Sequence, residues 1–226
     1  MKLYELVGRD KSNSFSPFVW RAKLALAHKG FEYETVPLHF TEIKETLSFA
    51  DAKTVPILVD GDKVTTDSWE ICTYLEDTYP ERPSLFQSRS AARLFTFQLS
   101  MPLLVPLFRT IVADIYDVID DSDKDYFRAT REPRIGCTIE EAALDFEASF
   151  STFKTALWPY QQYFSSADFI GGEAPTYQDY ALYSTFLWAR GTSSKKLLED
   201  DYSIVRWLAR MDGLLDGLGK RVKKID

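Results

Sequence analysis

The pattern of this chain changes once, near residue 80, and that change limits the fold more than any other feature. Before it, strand-like and helical segments alternate. Lys2 to Val7 alternates as a strand, Pro17 to about Lys29 has helical spacing, and Tyr33 to Leu38 reads as a second strand that Pro37 brings to its end. Strand–helix–strand in that order is a βαβ unit with a parallel strand pair. A weak helix around Ile43 to Phe49 follows. Pro56 to Val59 is a short apolar strand, Asp60-Gly61-Asp62 a hairpin turn, and Lys63 to Thr66 the returning strand. Asp67-Ser68 opens a helix that Pro80 stops. Residues 1–80 therefore predict a βαβ-ββα unit around a mixed four-strand sheet.

After a polar, Pro-containing linker at 81–88, only helical patterns follow. Apolar residues at 94, 97, 101, 104, 108, 111 and 115 mark helix, with Pro102 and Pro106 predicting a kink or break. Ser122 and Asp125 have capping-box spacing, as do Thr138 and Glu141. One helix carrying Ile139, Ala142, Phe146, Phe150, Phe153 and Leu157 is expected after Thr138. Thr176 and Asp179 cap an apolar helix to Ala189, a box worth about 1 kcal/mol. Val205, Leu208, Met211, Leu215 and Leu218 mark a last long helix. The expected fold is α/β plus all-α: a thioredoxin-like domain at 1–80 and an all-α helical-bundle domain at 89–226.

Bulk properties narrow the function. A net charge of −7 argues against nucleic acid as the main partner. No uninterrupted apolar run approaches the ~20 residues of a bilayer span, and the start lacks a leader pattern, so a cytoplasmic setting is expected. Cys72 and Cys137, with His28 and His39, show no metal-ligand spacing, and Cys72 reads as core. An aromatic share of 15% favours a rich core and a pocket for flat apolar ligands.

The sharpest local feature is Ser16-Pro17. Ser16 takes the N-cap position and Pro17 the first helical one, where its missing N–H costs nothing. Val19, Trp20, Leu24 and Ala27 form the apolar face, with Arg21, Lys23 and Lys29 towards the other. Gly30 ends the helix. A helix start carries free N–H groups and about half a positive charge. The Ser16 hydroxyl can cap its own helix or point at a bound anion, and the local pattern leaves both open. Val55-Pro56 is open between a trans strand start and a cis bond. Asp67 and Ser68 are open between capping and ligand binding.

Four motifs in order turn these readings into a resemblance: Ser16-Pro17 before Val19-Trp20-Arg21-Ala22-Lys23; Thr54-Val55-Pro56-Ile57-Leu58; Asp67-Ser68 before Tyr74-Leu75-Glu76; and Gly171-Gly172 before Thr176-x-x-Asp179. Together they resemble the cytosolic glutathione transferase superfamily, of serine type. Ser16-Pro17-Phe18-Val19-Trp20-Arg21, Phe40-Thr41-Glu42-Ile43, Asp67-Ser68-Trp69, Pro106-Leu107-Phe108-Arg109 and the Arg131-to-Glu140 stretch are similar to the bacterial β-etherases and the fungal etherase-like class. The resemblance implies that Ser16 stabilises glutathione as thiolate. Val55 and Pro56 would pair with the peptide, and Asp67 and Ser68 would meet its γ-glutamyl end. Lys53, Lys44 and His39 are candidates for its glycine carboxylate, against a plain role as solvated charges.

The implied acceptor pocket lies between Phe15 and the helix of Pro102, Pro106, Phe108 and Arg109, with Ile111 and Tyr116 as further candidates. Arg128, Arg131 and Arg134 read as solvated or paired with nearby acids. The implied activity is thiolate attack on hydrophobic aromatic electrophiles, with β-aryl ether cleavage as its finer form. Glutathione is the cosubstrate, no metal is involved, and a homodimer is expected. The alternative is a ligandin-type protein that stores aromatic compounds with little turnover.

Overall fold

A computed structural model describes residues 1–224, so residues 225 and 226 of the expected all-α segment lie outside the described residues. The first half holds β1 (Lys2–Leu6), α1 (Pro17–His28), β2 (Glu34–Leu38), a short α2 (Ile43–Thr46), β3 (Ile57–Asp60), β4 (Lys63–Thr66) and α3 (Ser68–Thr78). The sheet order is β2-β1-β3-β4, parallel between β1 and β2 and antiparallel elsewhere. This is the thioredoxin-like arrangement. Pro37 does not end β2 but lies inside it, opposite Glu5. Position at the sheet edge explains this, because a missing N–H costs nothing where no further strand needs it.

Helix α1 packs against α3 and against a helix of the second half. It is buried nearly all round, and the polar face of Arg21, Lys23 and Lys29 lies inside with the rest. Arg21 Nε reaches Ser184 Oγ at 3.4 Å, Lys29 Nζ pairs with Glu76 at 2.9 Å, and Lys23 pairs with Glu5. The two lysines carry carboxylate partners inside because unpaired burial would cost several kcal/mol, whereas Arg21 has only the Ser184 hydroxyl and its Nη2 meets no partner among the described residues. Gly30, at φ +72°, turns the chain out of α1 as expected.

The second half contains α4 (Arg89–Leu99), α5 (Val105–Val118), α6 (Lys124–Ile135), α7 (Ile139–Leu144), α8 (Phe146–Phe164), α9 (Tyr177–Arg190) and α10 (Ser203–Asp212). Pro102 breaks nothing. A π-helical turn at Ser100–Leu104 absorbs it, and residues 89–118 run on as one helix. That helix is long and apolar enough by composition to cross a bilayer, which a residue-by-residue reading with a break at the prolines misses. Here Leu99, Leu103, Leu107 and Ile111 pack inside the fold. Of the expected stripe, Leu94, Phe97 and Met101 face outward.

Three other expectations change. The Ser122–Asp125 box does not form: Asp120 accepts the Ser122 N–H and hydroxyl instead. Asp145 divides the helix after Thr138 into α7 and α8. The last helix stops at Asp212, and Leu215–Arg221 is a 3-10 segment, because Asp216 and Gly217 adopt positive φ. The two true capping boxes stand. Glu141 accepts the Thr138 N–H at 2.8 Å, and Asp179 accepts the N–H groups of Ile170, Gly171 and Thr176 and the Trp207 indole.

The halves are tied by more than apolar contact. Asp123, fully buried just before α6, accepts the Phe40 N–H at 2.8 Å and the Thr41 N–H at 2.9 Å and hydroxyl at 2.8 Å. His28 on α1 meets Tyr180 on α9 and the Ser84 carbonyl of the linker.

Candidate active site

A cavity of about 580 Å³ opens between the two halves. Its first wall comes from the α/β half: Phe15, Ser16 and Pro17 at the start of α1, then Lys53, Val55, Pro56 and Asp67. Ser16 is there because the loop after β1 ends in an extended N-cap. Its Oγ accepts the Val19 N–H over a long 3.4 Å. Among the described residues that is its one partner, so the hydroxyl hydrogen is free to donate into the cavity. Pro17 contributes no N–H, and the next amides of the first turn lack intrahelical acceptors. Ser16 thus caps its helix and still lines the cavity.

The Val55-Pro56 bond is cis, and both residues line the cavity. Asp67 sits at φ +70°, a region L-residues rarely enter, and its Oδ1 caps α3 by accepting the Trp69 N–H at 2.8 Å and the Glu70 N–H at 3.3 Å. Ser68 is buried at the first position of α3 and is not part of the lining. Of the three cation candidates only Lys53 reaches the cavity. Lys44 is exposed elsewhere, and His39 is buried rather than solvated because its loop folds back on Glu42, which accepts its N–H at 2.8 Å.

The second wall comes from the helical half. Phe108 and Arg109 on α5 line it, as expected, with Phe108 stacked on Trp188 of α9 at 5.9 Å between ring centres. Pro106 does not. It faces the other side of α5, in a smaller groove with Asp145 and Thr152, because two residues along a helix rotate a side chain about 200° away. Pro102, Ile111 and Tyr116 are also outside the lining; Ile111 is core, and Tyr116 packs on Phe127.

Helix α6 supplies Tyr126 and Phe127, which the sequence reading did not single out, and Arg131 and Arg134, which it took as solvated or paired with nearby acids. A signal existed: 127, 131 and 134 share one helical face. Trp188 had none, since only the tertiary crossing of α9 brings it in. Arg109 Nη1 donates to the Ile135 carbonyl at 2.6 Å and so caps the end of α6. Arg131 lies over the rings of Phe40 and Phe127 at 5.1 and 5.4 Å. Burial, and then the charge of Arg134, push its guanidinium below the usual range. Cys72 is fully buried and burial pushes its thiol up, so it is no nucleophile. No group of His, Cys, Asp and Glu able to hold a metal occurs among the described residues.

Family comparison fits this two-sided architecture. Residues 13–83 match the glutathione S-transferase N-terminal domain and residues 91–212 the glutathione S-transferase C-terminal domain. The chain belongs to the glutathione S-transferase family. A curated relative, glutathione S-transferase Z2 of Arabidopsis thaliana, is 45% identical over 71 residues, which cover 29% of this chain and 31% of the relative. The match thus spans less than a third of that transferase's length. The fold is shared throughout with a solved glutathione S-transferase of Ceriporiopsis subvermispora in complex with glutathione, at TM-score 0.86 and 19% identity, covering 100% of this chain and 98% of that one. It is also shared with the β-etherase LigF of Sphingobium sp., at TM-score 0.69 and 18% identity over 97% of each chain. Likeness at such identity speaks for the fold alone.

Proposed function

We propose that this transferase-family chain binds glutathione along the first wall, holds its sulfur as thiolate at Ser16, and directs it at an aromatic electrophile seated against the second wall. One observation carries it: a free serine hydroxyl at a helix start and a wall of aromatic side chains share a single cavity. Lowering a thiol pKa from ~8.5 by about two units requires about 2.7 kcal/mol. A helix start supplies roughly 0.3–2 kcal/mol, and a hydrogen bond to a charged acceptor roughly 1.5–3 kcal/mol. Together they suffice without a general base. Val55, Pro56, Asp67 and Lys53 line the glutathione side. Ser68 acts one step back, through the start of α3.

In the finer form the substrate is a β-aryl ether. The thiolate sulfur bonds to the carbon bearing the ether oxygen, the C–O bond breaks, and the phenolate leaves with the electron pair. The aromatic side chains of the second wall, with Phe108 stacked on Trp188, support this form. The homodimer belongs to the same reading, with the mass of the protein in solution as its check.

The test is Ser16→Ala with Ser16→Thr as control. With a chloro-nitroaromatic electrophile, the alanine variant should lose roughly tenfold to a hundredfold in kcat/KM at neutral pH, and the pH–rate profile should shift to higher pH. Threonine should restore most of it. An unshifted profile in Ser16→Ala assigns the thiolate to the Phe18 and Val19 amides alone.

A further inference from the structure

The charge on the cavity wall does not match a purely apolar electrophile. Its titratable lining comprises Lys53, Arg109, Arg131 and Arg134 against one carboxylate, Asp67, and one phenol, Tyr126. Asp67 already accepts two backbone N–H groups. The chain as a whole carries net charge −7, so acids are plentiful. They are used elsewhere: Arg128, one turn before Arg131, takes Glu132 at 2.6 Å and Glu140 at 2.6 Å. Among the described residues no ion pair reaches Arg109, Arg131 or Arg134; Arg21, Arg93, Arg206 and Arg221 also lack one but lie outside the cavity lining, whereas Arg9, Arg82, Arg89, Arg128, Arg190 and Arg210 each have one.

Arg131 and Arg134 are also like charges one turn apart on the same helix, an arrangement that works against the helix unless an anion joins them. Arg131 is held in place, with its guanidinium carbon over the rings of Phe40 and Phe127 and Nη1 donating to Thr130 Oγ1 at 2.8 Å. Its other N–H donors remain. A guanidinium fork next to aromatic rings fits a planar carboxylate attached to an arene, the fork taking the oxygens and the rings the apolar body.

We propose that the second wall is an anion-selective acceptor site, in which Arg131 and Arg134 bind the carboxylate of an aromatic acid. This rests on the preceding reading for the reaction, but not for the binding. Arg109 stands beside them with one N–H committed to α6, so it positions the helix that carries the pair.

Binding is measured first, without glutathione, by equilibrium dialysis of 2-naphthoate against 2-naphthamide, which differ in charge but little in shape. The wild type should prefer the acid by about tenfold or more, and the preference should shrink as salt rises from about 0.05 to about 0.5 M. In the Arg131→Gln/Arg134→Gln double variant it should vanish. The Arg131→Lys/Arg134→Lys variant, which keeps the charge but loses the fork, should keep only part of it. Melting curves establish that each variant is folded, and the lysine pair decides if the glutamine pair is not.

Turnover is then compared for 4-chloro-3-nitrobenzoate and its methyl ester, each divided by its uncatalysed rate with glutathione. In both, sulfur bonds to the ring carbon and chloride leaves with the electron pair. The acid should be favoured in the wild type and not in the glutamine pair. Equal binding of the two naphthyl probes, or a preference that survives in the glutamine pair, overturns the proposal. So does a preference abolished by competition from glutathione, which would give the arginines to glutathione's own carboxylate. Selective binding without any turnover leaves the acceptor site standing and overturns the thiolate reading instead.

Discussion

The two walls of the cavity are built by different means. On the α/β side the chemistry belongs to short local motifs: a serine N-cap, an X-Pro strand start, an Asp at the head of α3. Backbone geometry presents them, and each motif fixes its own position. On the helical side no single motif builds the wall. Phe108, Arg109, Phe127, Arg131 and Trp188 come from three helices, and only packing brings them together. A wall made of local motifs can hold one peptide in one pose while a wall made of packed side chains changes its specificity by single substitutions. The division of labour proposed above follows from that contrast.

The contrast breaks if the second wall proves independent of the first. Asp123 is the place to test it, since its buried carboxylate ties α6 to the Phe40–Thr41 backbone through three hydrogen bonds. Asp123→Ala leaves two amides and a hydroxyl without their acceptor. It should lower the unfolding free energy by about 3 kcal/mol in urea titrations. Loss of the tie should also raise KM for the electrophile more than for glutathione. A loss under about 1 kcal/mol would mean that apolar packing alone holds α6 in place.

A smaller effect sharpens the contrast at the Phe108–Trp188 stack. Phe108→Ala removes aromatic surface from the second wall and touches nothing on the first. KM for a neutral aromatic electrophile should rise roughly tenfold, about 1.4 kcal/mol, with glutathione affinity held within a factor of two. An equal loss for both ligands would mean that the walls are not separable.

The same contrast explains what could be read from the residues in advance. Most elements of the first half were legible to within a residue or two because turns and caps mark their ends; Pro37, which lies inside β2, and the short α2, which stops at Thr46, are the exceptions. Val55-Pro56 could be singled out but not its isomer, since tertiary context selects cis. In the second half, helices were legible but faces were not. The apolar spacing of Leu94, Phe97 and Met101 resembles a core stripe yet faces outward, because the π turn at 100–104 rotates the face that follows. Arg131 looked like a solvated charge because nothing in its neighbourhood of sequence reveals Phe40, ninety residues earlier, beneath it. Pro106 and Phe108 looked equivalent, and only the direction of α5 separates them.

The least of the expected effects concerns the seam where the walls meet. His28 Nε2 faces the Ser84 carbonyl at 3.0 Å, which can only accept, so Nε2 carries the proton. In the neutral ring Nδ1 then accepts the Tyr180 hydroxyl at 2.7 Å. Burial pushes the imidazole below its ordinary value of 6.5, against a smaller upward pull from the Ser84 carbonyl and with a further downward push from Lys29. With the folded pKa below the unfolded one, the unfolded chain binds more protons just under pH 6.5, so stability rises with pH there. His28 costs nothing above that pH, and the cost grows as pH falls towards the folded pKa. The ring is partly exposed, so solvent screening keeps the cost small. Urea midpoints at pH 7.5 and pH 5.5 should therefore differ more in the wild type than in His28→Gln, which keeps polar contacts but does not titrate. Identical pH differences in the two proteins would remove His28 from the seam's acid response and leave its carboxylates, which titrate lower, as the cause.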